Sequence, residues 1–281
     1  MFVPYAVDVP MQRYPYANWA LIGLTVLVSI AVWKAPRPIP GIDRSRIEDL
    51  SVEEIQKLVD QIVETTAPRL SLVRGHANPL QLITYTLVHA DFWHLAGNML
   101  FLFCFGNAVN ARLGHALYLA LYFALGAVAG AAWLLFDPEG TSLIGASGAI
   151  MGIVGLLFVL YPRNDVSIFY FWYGGAGTWE VSAMWVILVY MALDLFGTVR
   201  GGGGVAYISH LVGALVGIGA GAALFGLGLL EPVYGEENLL QVMGFQEKCE
   251  PLPPADEDVP DLPVAGAKIQ PRRPADGWGE M

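Results

Sequence analysis

Gly145-Ala146-Ser147-Gly148-Ala149-Ile150-Met151-Gly152-Ile153-Val154-Gly155-Leu156-Leu157-Phe158-Val159-Leu160-Tyr161 is the stretch that decides the fold. From Ser147 to Tyr161 it carries no charge, and glycines recur at 148, 152 and 155. That spacing leaves one helix face nearly bare, which lets helix backbones approach closely in lipid. The run is about 15 residues, short of the roughly 20 that cross a bilayer unaided. It reads as a helix whose start lies below the membrane surface. Its flanking loop must dip inward, which is allowed only where protein or a water cavity surrounds it. Ser147 stands at that sunken start, and polar groups in hydrocarbon are costly and tend to mark function.

Working outward, the composition agrees. Of 281 residues, 55% are apolar and only 14% charged, against about a quarter charged in an ordinary soluble domain. The charges crowd into 34–74 and into the tail after Leu230. The chain reads as an all-α polytopic membrane protein with six spans: 17–33, 93–109, 116–136, 147–161, 181–196 and 205–230. A segment 1–16 precedes this membrane domain, 17–230, whose first loop covers 34–92. In that loop Ser51-Val52-Glu53-Glu54 forms a capping box. Val52, Ile55, Leu58, Val59, Ile62 and Val63 follow at helical period, predicting an amphipathic helix over 51–66 on the membrane surface. The tail, 231–281, is acidic and proline-rich, and predicts disorder. It supplies most of the net charge of −10, so nothing suggests a nucleic-acid partner. Cys104 and Cys249 make no disulfide framework.

Three polar residues share a geometry. Spans two, four and six run the same way across the bilayer. His94, Ser147 and His210 each lie near the start of one of them, hence in one leaflet at similar depth. Gly213 and Gly217 on span six match the stripe Gly148, Gly152 and Gly155 on span four. Close approach of those two spans would bring Ser147 within reach of His210. A serine hydroxyl needs a base about 2.6–3.2 Å away to act as a nucleophile, and histidine suits that task near neutral pH. Blander readings exist: Ser147 as a small packing residue, and the glycines as packing alone. His89 and His94, five apart, do not share a helix face, and no third metal ligand stands out. Asp194 could complete a triad with His210. Asp194-Leu195-Phe196-Gly197, however, also reads as a helix end capped by glycine, and the preferred reading is a dyad. Phe169 to Tyr173 read as an interfacial aromatic belt. The glycines at 201–204 read as a hinge beside His210.

With these residues in place, the chain resembles the rhomboid intramembrane proteases. The matching segments are His89-Ala90-Asp91-Phe92-Trp93-His94-Leu95-Ala96-Gly97-Asn98-Met99, Gly145-Ala146-Ser147-Gly148, Asp194-Leu195-Phe196-Gly197 and His210-Leu211-Val212-Gly213. The resemblance implies Ser147 as nucleophile and His210 as general base. It implies His94, Asn98 and the Ser147 backbone N–H as oxyanion donors, and His89, Gly145 and Gly148 as supporting residues. Gly152, Gly213 and Gly217 are the expected packing glycines. No metal or cofactor is expected. Expected partners are transmembrane protein substrates and the lipid bilayer. The expected setting is a multi-pass position in a bacterial-type cell membrane, with a cytoplasmic N-terminus. Two positions depart from the family pattern. Met151 stands where an aromatic residue often stacks on the base, and Leu80-Gln81 replaces a common Trp-Arg pair before Thr84. The alternative function is a rhomboid-like pseudoprotease that binds membrane clients without cutting them. A small transporter is disfavoured, since no inverted repeat is visible.

Overall fold

The computed structural model describes residues 2–34, 51, 69–75, 77–136, 142–172, 174–200, 206–232 and 236–247. Six apolar helices form a bundle: α1 (Tyr16–Lys34), α2 (Phe92–Leu113), α3 (His115–Phe136), α4 (Ser147–Leu160), α5 (Ala183–Arg200) and α6 (Tyr207–Gly226). Four of them, α1, α2, α3 and α6, are long and apolar enough to cross a membrane, while α4 and the apolar part of α5 are shorter. The expected helix over 51–66 and the glycines 201–204 lie outside the described residues, apart from Ser51, as do Cys249 and the rest of the tail from residue 248 on.

α1 shows how lipid inverts the usual helix pattern. Its buried residues include Asn18, Thr25 and Ser29, while Leu24 and Leu27 face outward. Apolar side chains cost nothing against acyl chains, so the polar positions are the ones that need protein partners. α4 is the central helix, with every residue from Ser147 to Leu160 buried except Ser147 and Phe158. A helix enclosed by its neighbours has no bilayer thickness to match, which accounts for its short length.

α4 and α6 meet backbone to backbone. A Cβ on Gly213 would collide with the Gly148 carbonyl oxygen, one on Gly217 with the Gly152 carbonyl oxygen, and one on Gly155 with the Ala214 carbonyl oxygen. α2 is interrupted by a π-helical turn at Leu102–Gly106, a distortion that often accompanies a functional requirement. Asn18 of α1 donates to the Leu102 carbonyl at 2.9 Å and to Asn107 Oδ1 at 2.8 Å. In turn its Oδ1 accepts from Tyr118 of α3 at 2.5 Å.

The all-α expectation is corrected by a small antiparallel sheet. Strand β1 (Phe2–Val7) pairs with β4 (Asp165–Trp172), which pairs with β5 (Gly175–Ser182). β4 and β5 join α4 to α5 at the end of the bundle opposite Ser147. Phe169, Phe171 and Trp172, expected as a belt, lie exposed on β4. A second pairing, β2 (Leu72–Val73) with β3 (Ser142–Leu143), ties the first loop to the approach to Ser147. The expectation for the tail is also corrected over 236–247. Asn238 and Gln241 form a capping box on a short helix, α7 (Leu239–Val242). Arg112 donates to the Glu231 carbonyl and Arg163 pairs with Glu237, tying this segment to the bundle.

Candidate active site

The loop before α4 is pinned from two sides. The Gly145 N–H donates to the Tyr85 carbonyl at 3.0 Å, and the Ala146 N–H to His89 Nε2 at 3.3 Å. Gly145 has φ +115°, a conformation that side-chain-bearing residues rarely adopt. Ser147 then opens α4. Its backbone N–H sits in the first turn, where no preceding helical carbonyl exists to take it.

His210, in the first turn of α6, meets Ser147 across the glycine seam. Its Nε2 lies 2.7 Å from Ser147 Oγ. On the other side of the ring, Nδ1 lies 3.2 Å from Asp194 Oδ1 of α5. The two side chains retain 16% and 14% of their exposure, so the pair is sheltered yet within reach of water. Asp194-Leu195-Phe196-Gly197 is no capped helix end, because α5 continues to Arg200. Gly197 instead makes room for a ring: a Cβ there would lie 2.5–2.7 Å from Tyr207. Tyr207 stands edge-on to His210, with centroids 6.5 Å apart. Met151 is buried, and the aromatic neighbour of His210 comes from its own helix.

His94 approaches from α2. A Cβ on Gly145 would lie 2.8 Å from His94 Nε2 and 4.0 Å from Ser147 Oγ. The missing side chain thus leaves a notch with the serine hydroxyl on one wall and an imidazole N on the other. Asp91 aims α2 at this notch by capping it, accepting from the Trp93 N–H at 2.8 Å and the His94 N–H at 3.0 Å. Those backbone donors, the His94 N–H foremost, hold its carboxyl below the usual range. Asn98, one turn on, donates through Nδ2 to the His94 carbonyl at 2.8 Å. An amide nitrogen carries two hydrogens, so a second one remains for another acceptor.

His89 is a scaffold. Its Nε2 accepts from Ala146, so its Nδ1 must carry the proton, and it donates to Ser29 Oγ at 3.2 Å. Ser29 passes its own hydrogen to the Leu87 carbonyl at 3.1 Å, and Trp33 Nε1 donates to the His89 carbonyl at 2.8 Å. Burial, and then the neighbouring His94, push the His89 imidazole down to about 3. It is neutral near pH 7 and holds position rather than moving protons. In place of a Trp-Arg pair, Gln81 Nε2 donates to the Arg69 carbonyl at 3.2 Å and Thr84 Oγ1 to the Leu70 carbonyl at 2.9 Å. These bonds fasten the first loop beside β2.

Of the residues singled out in the sequence, Ser147, His94 and Gly145 meet at one notch with His210 on the serine, while His89 lies behind Ala146 and Asn98 bonds the His94 carbonyl. Tyr207, Ser29, Trp33 and Asp91 were missed. Only Asp91 had a local signal, an acidic residue just before an apolar run.

A serine–histidine pair at the mouth of a seam between apolar helices, in a bundle with four helices long and apolar enough to cross a membrane, defines a membrane protein with a polar site among its helices. A model of the rhomboid domain matches residues 76–227, more than half of the chain, and the protein belongs to the rhomboid family. It is 31% identical over 145 residues to "Rhomboid protein 1, mitochondrial" of Saccharomyces cerevisiae, covering 50% of this chain and 40% of that one. It is 38% identical over 84 residues to "Rhomboid protease GluP" of Bacillus subtilis, covering 30% of this chain and 16% of that one. "Rhomboid-related protein 2" of Mus musculus is 25% identical over 217 residues, 73% of this chain and 62% of that one. In each case the match spans less than two thirds of the relative's own length.

Proposed function

We propose that the protein is an intramembrane serine endopeptidase that hydrolyses peptide bonds in or near transmembrane segments of other membrane proteins. The observation that carries this is the 2.7 Å contact between His210 Nε2 and Ser147 Oγ. Ser147 Oγ attacks the scissile carbonyl and gives its proton to His210 Nε2. The oxyanion formed is met by the Ser147 N–H, His94 and the spare Asn98 N–H, donors of the kind that favour the transition state over the ground state. His210 passes the proton to the departing amine as the C–N bond breaks, leaving an acyl ester on Ser147. Water, deprotonated by His210, then cleaves the ester and restores the hydroxyl.

Six transmembrane passes in a bacterial-type cell membrane, with the N-terminus cytoplasmic, belong to the same reading. The orientation rests on the resemblance to the rhomboid family, since the first loop holds seven Lys and Arg residues against Arg13, Arg112 and Arg163 at the other end. The bilayer and transmembrane protein substrates are the partners. Turnover of a membrane-embedded substrate should vanish in Ser147→Ala and in His210→Ala, and the double variant should lose no more than either single one. Near-normal turnover in Ser147→Ala would overturn the serine-protease reading, whereas no turnover in the parent protein would leave the binding role of a pseudoprotease.

A further inference from the structure

We infer that Asp194 is a positioning residue for His210, so that a carboxylate orients the serine–histidine pair. This rests on the protease reading above and deepens it.

From Ala183 to Val199, α5 carries one charged residue, Asp194. A carboxylate among residues such as Leu193 and Leu195, both outward-facing, is costly in a membrane helix and needs a reason. Ala183 starts α5 at the sheet end. Asp194, eleven residues on, is therefore about 17 Å along the helix, near the end where α4 and α6 begin. There its Oδ1 lies 3.2 Å from His210 Nδ1.

Chemistry then fixes the imidazole. An ionised carboxylate only accepts hydrogen bonds, so Nδ1 carries the hydrogen and donates it to Asp194. Neutral imidazole has one such hydrogen, so Nε2 presents its lone pair to Ser147 Oγ, which lies 2.7 Å away. The alternative tautomer would place a hydrogen on Nε2 and leave the ring unable to take the serine proton. When Nε2 is protonated during attack, the nearby carboxylate stabilises the imidazolium without itself becoming protonated.

A second contact registers the same two helices. Gly197 and Asp194 lie three apart on α5, and Tyr207 and His210 three apart on α6. Residues three apart share a helix face. Gly197 receives the Tyr207 ring while Asp194 receives the His210 N–H. The two helices are thus registered at two points, one steric and one polar.

The test uses the full-length protein in detergent, in two variants that remove the acceptor. Asp194→Leu keeps the bulk, and Asp194→Ala keeps the helix should leucine not fit. The first readout is the rate of Ser147 labelling by a small fluorophosphonate, which should fall roughly 10²-fold. The second is the ¹⁵N spectrum of the imidazole, assigned by its loss in His210→Asn. It should report the Nδ1–H tautomer in the parent protein and a shift toward Nε2–H in both variants. A folded variant that labels at the parent rate overturns the inference. So does slow labelling with the tautomer unchanged, which would assign Asp194 to helix packing. If the parent protein itself is not labelled at Ser147, the protease reading fails. The tautomer spectra still decide whether Asp194 sets the imidazole.

Discussion

The seam between α4 and α6 and the seam joining α1 to α2 and α3 hold one bundle by opposite means. At the first, side chains are absent, and the glycines at 148, 152, 155, 213 and 217 bring carbonyls and backbones into contact. At the second, polar side chains fill the gap. Asn18 joins Leu102, Asn107 and Tyr118, and its backbone N–H finds Asn110 Oδ1 at 3.2 Å. The bare seam gives distance control, since only one helix separation fits, and the hydroxyl–imidazole pair lies at its mouth. The polar seam gives cohesion where the π-helical turn of α2 frees backbone groups that need partners.

Crowding the bare seam should have the largest combined effect, on stability and on the reacting geometry together. Gly213→Ala drives a methyl against the Gly148 carbonyl. Overpacking of this kind costs about 1–3 kcal/mol, and the strain falls on the helices that set the 2.7 Å contact. Fluorophosphonate labelling per folded molecule should drop at least about tenfold, a loss expected from a near-attack geometry displaced by a fraction of an ångström. A melting transition in detergent, read beside labelling, separates the two effects.

Loss of an oxyanion donor comes next. Asn98→Ala should lower turnover roughly 10²-fold at unchanged substrate affinity. A lower melting temperature with normal turnover per folded molecule would instead assign Asn98 to bracing the His94 carbonyl.

Emptying the polar seam should show the reverse of the glycine variant. Asn18→Leu strands the Tyr118 hydroxyl and the Leu102 carbonyl, a cost of about 1–3 kcal/mol. Labelling per folded molecule should change less than about twofold, because no residue of the notch is moved. Equal losses of labelling in Asn18→Leu and Gly213→Ala would erase the distinction between the seams.

The two seams also differ in how far the sequence disclosed them. Glycines at 148, 152 and 155, and again at 213 and 217, form a local period that can be read without any partner. Asn18, Asn107, Asn110 and Tyr118 meet across 89 to 100 residues of chain, and no spacing links them. The π turn adds to this by changing the phase of α2 midway. The sheet did leave a signal: Val166, Ile168, Tyr170 and Trp172 alternate, and their partners Val181, Trp179, Gly177 and Gly175 share the face. Among apolar spans the crowded aromatics from Phe169 to Tyr173 read as an interfacial belt, which hides the strand. Gly197 misled in a similar way. A glycine near a helix end suggests a cap, yet here it clears space for Tyr207, and the contact between Asp194 and His210 follows from that packing.

Last comes the effect of acid on the scaffold histidine. His89 lies at about 3 in the fold, against an ordinary value of 6.5. The unfolded chain therefore binds the proton first, so stability is full above about pH 6.5 and falls as pH drops toward 3, by up to about 1.4 kcal/mol per pH unit. Melting followed between pH 7.5 and 5 should show a decline that flattens in His89→Asn.

The most direct test of the whole account is the site of covalent capture. A fluorophosphonate incubated with the protein in detergent, followed by peptide mass spectrometry, should place the adduct on Ser147. The adduct should vanish in both Ser147→Ala and His210→Ala, while Asn18→Leu keeps it. An adduct on any other serine, or undiminished labelling in His210→Ala, would contradict the assignment of Ser147 and His210 as the reacting pair.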